Sequence, residues 1–194
     1  TLESLLADRE DHRILHETVG ELPADLRIEA PTYRLDLGEV HCLSVGRGTL
    51  TDEERFLINN HIVQTIIMLR ALPFPDYLKD VPDIAGNHHE HLDGSGYPRG
   101  LHADAMSVQA RIMAIADIFE ALTASDRPYK PGKRLSESVG LLADYVRLGH
   151  LDRELFELFL RTGVHLRFAR RFLDAAQIDE VDIEAALQRA RQPA

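Results

Sequence analysis

Apolar residues recur at intervals of three and four along most of this 194-residue chain, and such helical spacing leaves little room for a sheet. The most apolar run follows Thr51 and stops before Pro73, and Thr51 with Glu54 has the spacing of a capping box. Another run follows Ser107, which can cap a helix. Further helices are predicted over residues 135–148, 152–160, 163–173 and 179–191. We therefore expect an all-α bundle.

Breaks in the periodicity predict three segments. Residues 1–23 are predicted to form an amphipathic helix that ends at Pro23. Residues 24–50 are predicted to be an irregular connection, with a short extended piece around Val40 to Val45, and residues 51–194 hold the main domain. An isolated helix of this length is marginal in water, so the apolar stripe of the first helix needs a partner. We expect it to form a homodimer or to pack against a preceding domain.

Charge and cysteine content narrow the possible functions. The chain has 22 Lys and Arg residues against 32 Asp and Glu, a net charge of -10, which argues against a general DNA-binding or anionic-membrane surface. No apolar run approaches the roughly 20 residues of a membrane span, and the first residues do not resemble a signal peptide. The single Cys42 excludes an intramolecular disulfide and is typical of a reducing compartment. We therefore expect a cytoplasmic location.

Two isolated residues are candidate ligands, and each has a simpler structural explanation. His61 lies in the most apolar predicted helix, where a hydrogen-bonded core histidine is more common than a metal ligand. Asp117 interrupts the apolar run IMAIA-D-IF. Burying an ionised carboxylate is costly unless it binds a metal or pairs with a cation, here Arg111 or Arg127.

The adjacent histidines His88 and His89 follow a short helix predicted from Pro82, and Glu90 and His91 come next. Imidazole is the commonest ligand of zinc, iron and nickel, and carboxylates extend the choice to manganese. A solvated histidine-rich turn is the alternative. The loop that follows, DGSGYP, favours a site, because its glycines allow close approach to the backbone and its tyrosine offers an aromatic face.

A short basic segment, DRPYK, contains Arg127 and Lys130. A guanidinium and an ammonium group near metal ligands suggest phosphate binding, whereas such a pair on its own is usually a solvated turn. Taken together, the four groups of residues indicate a site for metal and phosphate.

At these residues the chain resembles the HD-GYP family, whose members are metal-dependent phosphohydrolases that hydrolyse cyclic di-GMP. The string HHEHLDGSGYPRGL matches the family motif HHExxDGxGYP at every defined position. The string MSVQARIMAIADIFEALTASDRPYK matches the second conserved block, and the similarity runs from about Gly48 to Leu160. The resemblance implies an HD-domain-like bundle of five core helices with additional N- and C-terminal helices, in which residues 51–194 would be the C-terminal part of an HD-GYP-like phosphohydrolase domain.

The resemblance also implies roles for individual residues. The implied metal ligands are His61, His88, His89 and Asp117. The implied signature loop comprises Asp93, Gly94, Gly96, Tyr97 and Pro98, and the implied substrate contacts are Arg127, Lys130 and Tyr97. The implied cofactors are divalent metal ions, iron or manganese, with two ions in a full domain. The implied partners are cyclic di-GMP or a related cyclic dinucleotide, and signalling proteins that bind the GYP loop.

One departure from the family concerns the His-Asp dyad that gives it half of its name. No His-Asp dipeptide occurs in the chain, and the nearest counterpart is Leu35-Asp36, so the catalytic residues stay unassigned. Because the chain begins with Thr1 and not Met, we expect the dyad in a preceding segment. Without it, we expect weak metal binding and slow turnover, unless Glu90, Asp93 or Asp36 bridges the ions.

Two further functions compete with this one. A degenerate, non-catalytic HD-GYP module would act as a signalling scaffold through its GYP loop. A phosphohydrolase for another cyclic nucleotide would use the same residues, since a cationic pocket recognises phosphates before it recognises bases.

Overall fold

The computed structural model describes residues 13–15, 23–46, 48–125 and 132–193, and the chain divides into two compact units, residues 1–82 and 83–194. The helices are α1 Glu39–Leu43, α2 Asp52–Arg70, α3 Val81–Gly86, α4 Val108–Thr123, α5 Leu135–Arg147, α6 Arg153–Arg161, α7 Val164–Phe172 and α8 Ile183–Arg191. The strands are β1 Arg13–Ile14 and β2 Leu35–Asp36. The all-α prediction is confirmed. None of these helices is long and apolar enough to cross a membrane.

The first unit is built on α2, which begins where the sequence predicted. The Thr51 hydroxyl accepts a hydrogen bond from the Glu54 amide (3.3 Å), and the Glu54 carboxylate accepts one from the Thr51 amide (3.0 Å). The capping box is therefore confirmed. One stripe of the helix is buried, and it consists of Phe56, Ile62, Val63 and Ile66, with Glu53 at its start.

The first unit also contains a short strand pair that the sequence did not predict. Arg13 is paired with Asp36 and Ile14 with Leu35 in antiparallel register, and the Arg13 guanidinium lies 3.2 Å from the Asp36 carboxylate. The predicted helix over residues 1–23 is therefore wrong at Arg13 and Ile14, because pairing with a distant segment overrides the local periodicity. Residues 1–12 and 16–22, with the dimer surface predicted for them, lie outside the described residues.

The extended piece predicted around Val40 to Val45 is also wrong, since residues 39–43 form α1. The Asp36 carboxylate accepts a hydrogen bond from the Gly38 amide (2.9 Å), and the Gly38 carbonyl accepts one from the Cys42 amide (2.9 Å). These bonds turn the chain into a helix directly after β2.

The second unit has one continuous apolar core, in which α5 packs against α4, α6 and α8. Its buried side chains include Ile115, Phe119, Leu135, Val139, Leu142, Phe156, Leu160 and Leu187. The last helix begins at Ile183, four residues later than predicted. Asp182 caps it by accepting from the Ala185 amide, whereas Asp179 accepts from the amide and hydroxyl of Ser136 at the start of α5.

Candidate metal centre and phosphate-binding loop

The end of α3 delivers the adjacent histidines. His88 Nδ1 lies 2.6 Å from the carbonyl oxygen of Ala85. Because a carbonyl only accepts, Nδ1 carries the proton and the lone pair available to a ligand is on Nε2. The rings of His88 and His89 are 4.1 Å apart and tilted by 44°, so the two imidazoles present their nitrogens in different directions.

Asp117 on α4 lies beside the second of these histidines. Its Oδ2 atom is 3.9 Å from His89 Nδ1. This separation is too long for a hydrogen bond, but it suits two ligands of one cation, each about 2.0–2.2 Å from the ion. The donor set is therefore of a kind that fits a divalent metal.

The environment of Asp117 differs from the one predicted in two respects. Its side chain is 38% exposed, because it lies off the stripe of Ala114 and Phe119 that faces the core, so the expected deep burial is wrong. The suggested pairing with Arg111 is wrong as well. Arg111 instead lies 3.1 Å from the carboxylate of Asp152, which follows α5.

His61 belongs to the first unit and lies on the exposed side of α2, not in the core, because Ile62 and Val63 next to it fill the buried stripe. Its Nδ1 is 2.5 Å from the Ile58 carbonyl, which assigns the proton to Nδ1 as in His88. The convergence of His61 with the predicted ligands of the second unit stays a prediction.

Glu90 holds the signature loop together, a role that sequence reasoning missed. Its carboxylate is 1% exposed and accepts hydrogen bonds from the backbone amides of Arg99 (2.6 Å) and Leu101 (2.8 Å). Gly96 packs directly on this turn, since a Cβ there would lie 2.3 Å from the His91 amide nitrogen and 2.5 Å from the Glu90 Cα. The loop therefore requires glycine at this position and a buried acceptor beneath it.

Tyr97, the predicted substrate contact, lies next to His89, one of the predicted metal ligands of the second unit. Its ring stacks on His89, with centroids 4.9 Å apart and an interplanar angle of 22°, and the Tyr97–Pro98 peptide is cis. Burial raises the pKa of Tyr97, and the nearby Asp117 carboxylate raises it further. The phenol consequently stays protonated and can donate a hydrogen bond.

His91, Asp93 and His150 form a second polar cluster that the sequence analysis did not identify. The rings of His91 and His150 stack 4.0 Å apart at 10°, and Asp93 Oδ2 is 3.6 Å from His150 Nε2. Burial, followed by the charge of His150, lowers the pKa of His91. Burial would raise the pKa of Asp93, but hydrogen bonds from Ser95 outweigh it, and the pKa lies below its ordinary value. Only the extra histidine in HHEHLD hinted at this cluster.

Arg127 and Lys130 lie outside the described residues, but the residues on either side of the predicted loop are described. The Gln177 side-chain amide donates to the carbonyls of Thr123 (2.8 Å) and Lys133 (3.0 Å). The Lys133 amide also donates to the Leu122 carbonyl (3.0 Å). Gln177 therefore closes the neck of the predicted phosphate-binding loop. Nothing in the local sequence singled it out.

Comparison with known proteins gives a family match and several curated relatives. The model of the HD domain matches residues 15–155, well over half of the chain. A 3′3′-cGAMP-specific phosphodiesterase of Vibrio cholerae is 38% identical over 131 residues, which is 66% of this chain and 30% of that protein. A cyclic di-GMP phosphodiesterase of Pseudomonas aeruginosa is 38% identical over 114 residues, 59% of this chain and 26% of that protein. The cyclic di-GMP phosphodiesterase response regulator RpfG of Xanthomonas campestris is 46% identical over 84 residues, 43% of this chain and 21% of that protein. The chain thus spans less than a third of the length of each relative.

Proposed function

Since this chain belongs to the HD domain family and contains both HD-GYP motifs, we propose that it is a metal-dependent phosphohydrolase domain that opens a phosphodiester bond of a cyclic dinucleotide. The observation that carries the proposal is the grouping of His88, His89 and Asp117, with Tyr97 stacked on His89. Imidazoles and a carboxylate that can share a cation lie beside an aromatic face and a protonated phenol.

The proposed ligands of a divalent ion, iron or manganese, are His61, His88, His89 and Asp117. Imidazole nitrogen and carboxylate oxygen suit these metals. The backbone carbonyls that accept from Nδ1 of His61 and His88 orient both rings and select Nε2 as the ligating atom. An ion bound there would supply Lewis acidity, which would activate water and stabilise the charge that develops on the phosphoryl oxygens.

The proposed substrate is cyclic di-GMP or a related cyclic dinucleotide. Arg127 and Lys130 would contact a phosphate group, and Tyr97 would offer its ring to a base or its phenolic proton to a phosphoryl oxygen. The relatives are named for cyclic di-GMP and for 3′3′-cGAMP. The two molecules share their phosphodiester groups, so these residues favour the class of substrate and not one member of it.

A second candidate function follows from the segment that most resembles the missing dyad. Leu35 has no ligand atom in its side chain, and the Asp36 carboxylate already accepts hydrogen bonds from Gly38 (2.9 Å) and Arg13 (3.2 Å). Glu90 likewise uses both of its carboxylate oxygens, to accept from the amides of Arg99 and Leu101, and Asp93 uses one of its two, to accept from Ser95. These contacts favour a module that binds a cyclic dinucleotide or a signalling partner without turning the nucleotide over.

The deciding experiment combines elemental analysis with a chromatographic hydrolysis assay on cyclic di-GMP and 3′3′-cGAMP. For the chain loaded with manganese or iron, we expect at most one tightly bound ion that depends on Asp117, and slow turnover, because Asp36 and Glu90 use both of their carboxylate oxygens in hydrogen bonds. Asp117→Asn should abolish turnover and lower the metal content. Asp104→Asn alters an exposed carboxylate of the same unit and should change neither.

The possible outcomes separate the two candidates. Turnover that depends on Asp117 supports the enzyme, whereas nucleotide binding without turnover supports the second candidate. If the loaded chain shows neither binding nor turnover, both proposals fail. Two tightly bound ions that both depend on Asp117, together with rapid turnover, would show that a further residue completes a two-ion centre beside Asp117.

A further inference from the structure

We propose that His91, Asp93 and His150 form a second metal site, a set of two histidines and one carboxylate that takes zinc or a similar divalent ion. One donor atom from each residue lies within 4.8 Å of the other two. All three residues belong to the second unit, and none is among the ligands proposed above. Three protein ligands with one open position are a common arrangement for zinc.

The carboxylate is oriented by its neighbours. Asp93 Oδ1 accepts hydrogen bonds from the Ser95 amide (2.9 Å) and hydroxyl (2.7 Å). Oδ2 is therefore the atom directed at the cluster, 3.6 Å from His150 Nε2. Such hydrogen bonds hold a ligating carboxylate in place and are typical of metal sites.

The same serine sets the proton on the first histidine. Because the Ser95 hydroxyl donates to Asp93, it acts as acceptor towards His91 Nδ1, which lies 2.9 Å away. Nδ1 of His91 then carries the proton and Nε2 holds the lone pair. Ser95 thus prepares two of the three ligands at once.

The backbone holds the three positions together. The Leu92 amide, between His91 and Asp93, donates to the carbonyl of His150 (3.1 Å). Gly149 makes the preceding turn with a φ of +79°, a conformation that favours glycine. The ligand positions are therefore fixed by main-chain structure and not by side-chain contacts alone, which reduces the cost of assembling the site.

Metal binding requires the stacked rings to tilt, because an ion lies in the plane of each imidazole that binds it. His150 can turn without losing a hydrogen bond. Its Nδ1 is buried and has no hydrogen-bond partner in the described part of the chain, and the 3.6 Å from Nε2 to Asp93 exceeds hydrogen-bond length. A modest inward movement then brings the donors to the separation of about 3.3 Å that bonds of about 2.0 Å imply at a tetrahedral ion.

The consequence of such a site would be mechanical. Asp93 begins the signature loop that contains Tyr97, and His150 follows the turn after α5. An ion shared by the two would tie the loop to that turn and restrain Tyr97. This goes beyond the proposed function, because the second ion takes no part in the hydrolytic step.

The test uses cobalt(II) as a coloured substitute for zinc, added to the full chain with His88→Ala and His89→Ala to remove donors of the first site. We expect one cobalt ion per chain with the visible absorption of a four-coordinate site. Adding His150→Phe, which keeps a ring against His91 but has no nitrogen, should abolish both. Asp93→Asn should weaken binding at least tenfold, whereas Asp104→Asn should leave it unchanged.

A second measurement covers the case in which the double variant does not fold. The wild-type chain should bind one more zinc ion per chain than the variant that carries His150→Phe alone. Equal stoichiometry and equal cobalt spectra with and without His150→Phe would overturn the proposal and leave the cluster as a stacked histidine pair. Both readouts measure binding alone, so they stay valid if the chain hydrolyses no cyclic dinucleotide.

Discussion

The buried carboxylate of Glu90 determines the conformation of the signature loop through two backbone hydrogen bonds. We expect Glu90→Ala to lower the free energy of unfolding by about 1–3 kcal/mol, since the amides of Arg99 and Leu101 then lose their acceptor. Glu90→Gln keeps one acceptor oxygen and should cost less. Urea denaturation of the three proteins checks this order, and equal stabilities would contradict the assigned role.

A second prediction for single residues concerns Arg127, the proposed phosphate contact. Arg127→Glu should abolish binding of cyclic di-GMP and leave the helical circular dichroism unchanged, because a loop side chain contributes little to the core. Arg153→Glu reverses an exposed charge at the start of α6 and provides the matched control. Unchanged nucleotide affinity of Arg127→Glu in calorimetry would indicate that the basic segment is only a solvated turn.

Among the contacts between elements, the hydrogen bonds of Gln177 predict that the stability of a Gln177→Glu variant depends on pH. Gln177→Glu replaces an amide donor with a carboxylate that faces the carbonyls of Thr123 and Lys133. The folded state then disfavours the charged form, so the folded-state pKa of the new side chain is raised. The destabilisation should be largest above that pKa, and its pH-dependent part should be lost below the unfolded-state value of about 4.3, where the protonated carboxyl can donate to one of the two carbonyls.

Urea denaturation of Gln177→Glu and wild type at pH 7.5 and pH 4 checks this prediction. Asp179→Ala, which breaks the neighbouring contact with Ser136 but leaves the loop neck intact, is the control for general damage to this segment. If the penalty of Gln177→Glu is the same at both pH values, the amide is not the donor that closes the loop.

The ion pair between α5 and α8 shows the opposite pH dependence. Hydrogen bonding from Arg189 lowers the pKa of Asp144 below its ordinary value of 3.8, so the pair stabilises the fold above that value. The stabilisation is lost as the pH falls through the lower folded-state pKa. Asp144→Asn should therefore cost less than about 1 kcal/mol at pH 7, because the pair is partly exposed, and nothing once Asp144 is protonated. Denaturation curves at pH 7 and at a pH below the lowered pKa of Asp144 measure the difference in the free energy of unfolding.

For the whole molecule, the proposed ligand set predicts a link between metal binding and stability. Manganese should raise the thermal unfolding midpoint of the wild-type chain, and a chelator should reverse the rise, because an ion that binds only the folded state stabilises it. His88→Ala should abolish the rise, and His61→Ala should reduce it if His61 joins the set. A rise that persists in His88→Ala would place the ion elsewhere, and His150→Phe in the same assay would show whether the second cluster holds it.

Sequence patterns predicted the helices well where a capping residue defines the start of the helix. Two helices begin at capping residues, Thr51 and Ser107, whose hydrogen-bond partners lie three residues further along the chain. These helix starts could be predicted because they depend only on neighbours in sequence. The predictions failed at Arg13–Ile14 and at residues 39–43. There, the local structure is set by strand pairing and by the hydrogen bond from the Gly38 amide to Asp36, and the spacing of apolar residues carries no information about either.

The sequence by itself determined the all-α class, the identity of the HD-GYP motifs and the candidate ligands, because helix spacing and motif matching are properties of adjacent residues. The tertiary structure alone revealed the Glu90 anchor, the closure by Gln177 and the meeting of His91 and Asp93 with His150. Each of these depends on where a side-chain nitrogen or oxygen lies relative to groups elsewhere in the fold. Hydrogen bonds and metal coordination act over about 2–3 Å, and only the packed core sets distances on that scale between segments remote in sequence.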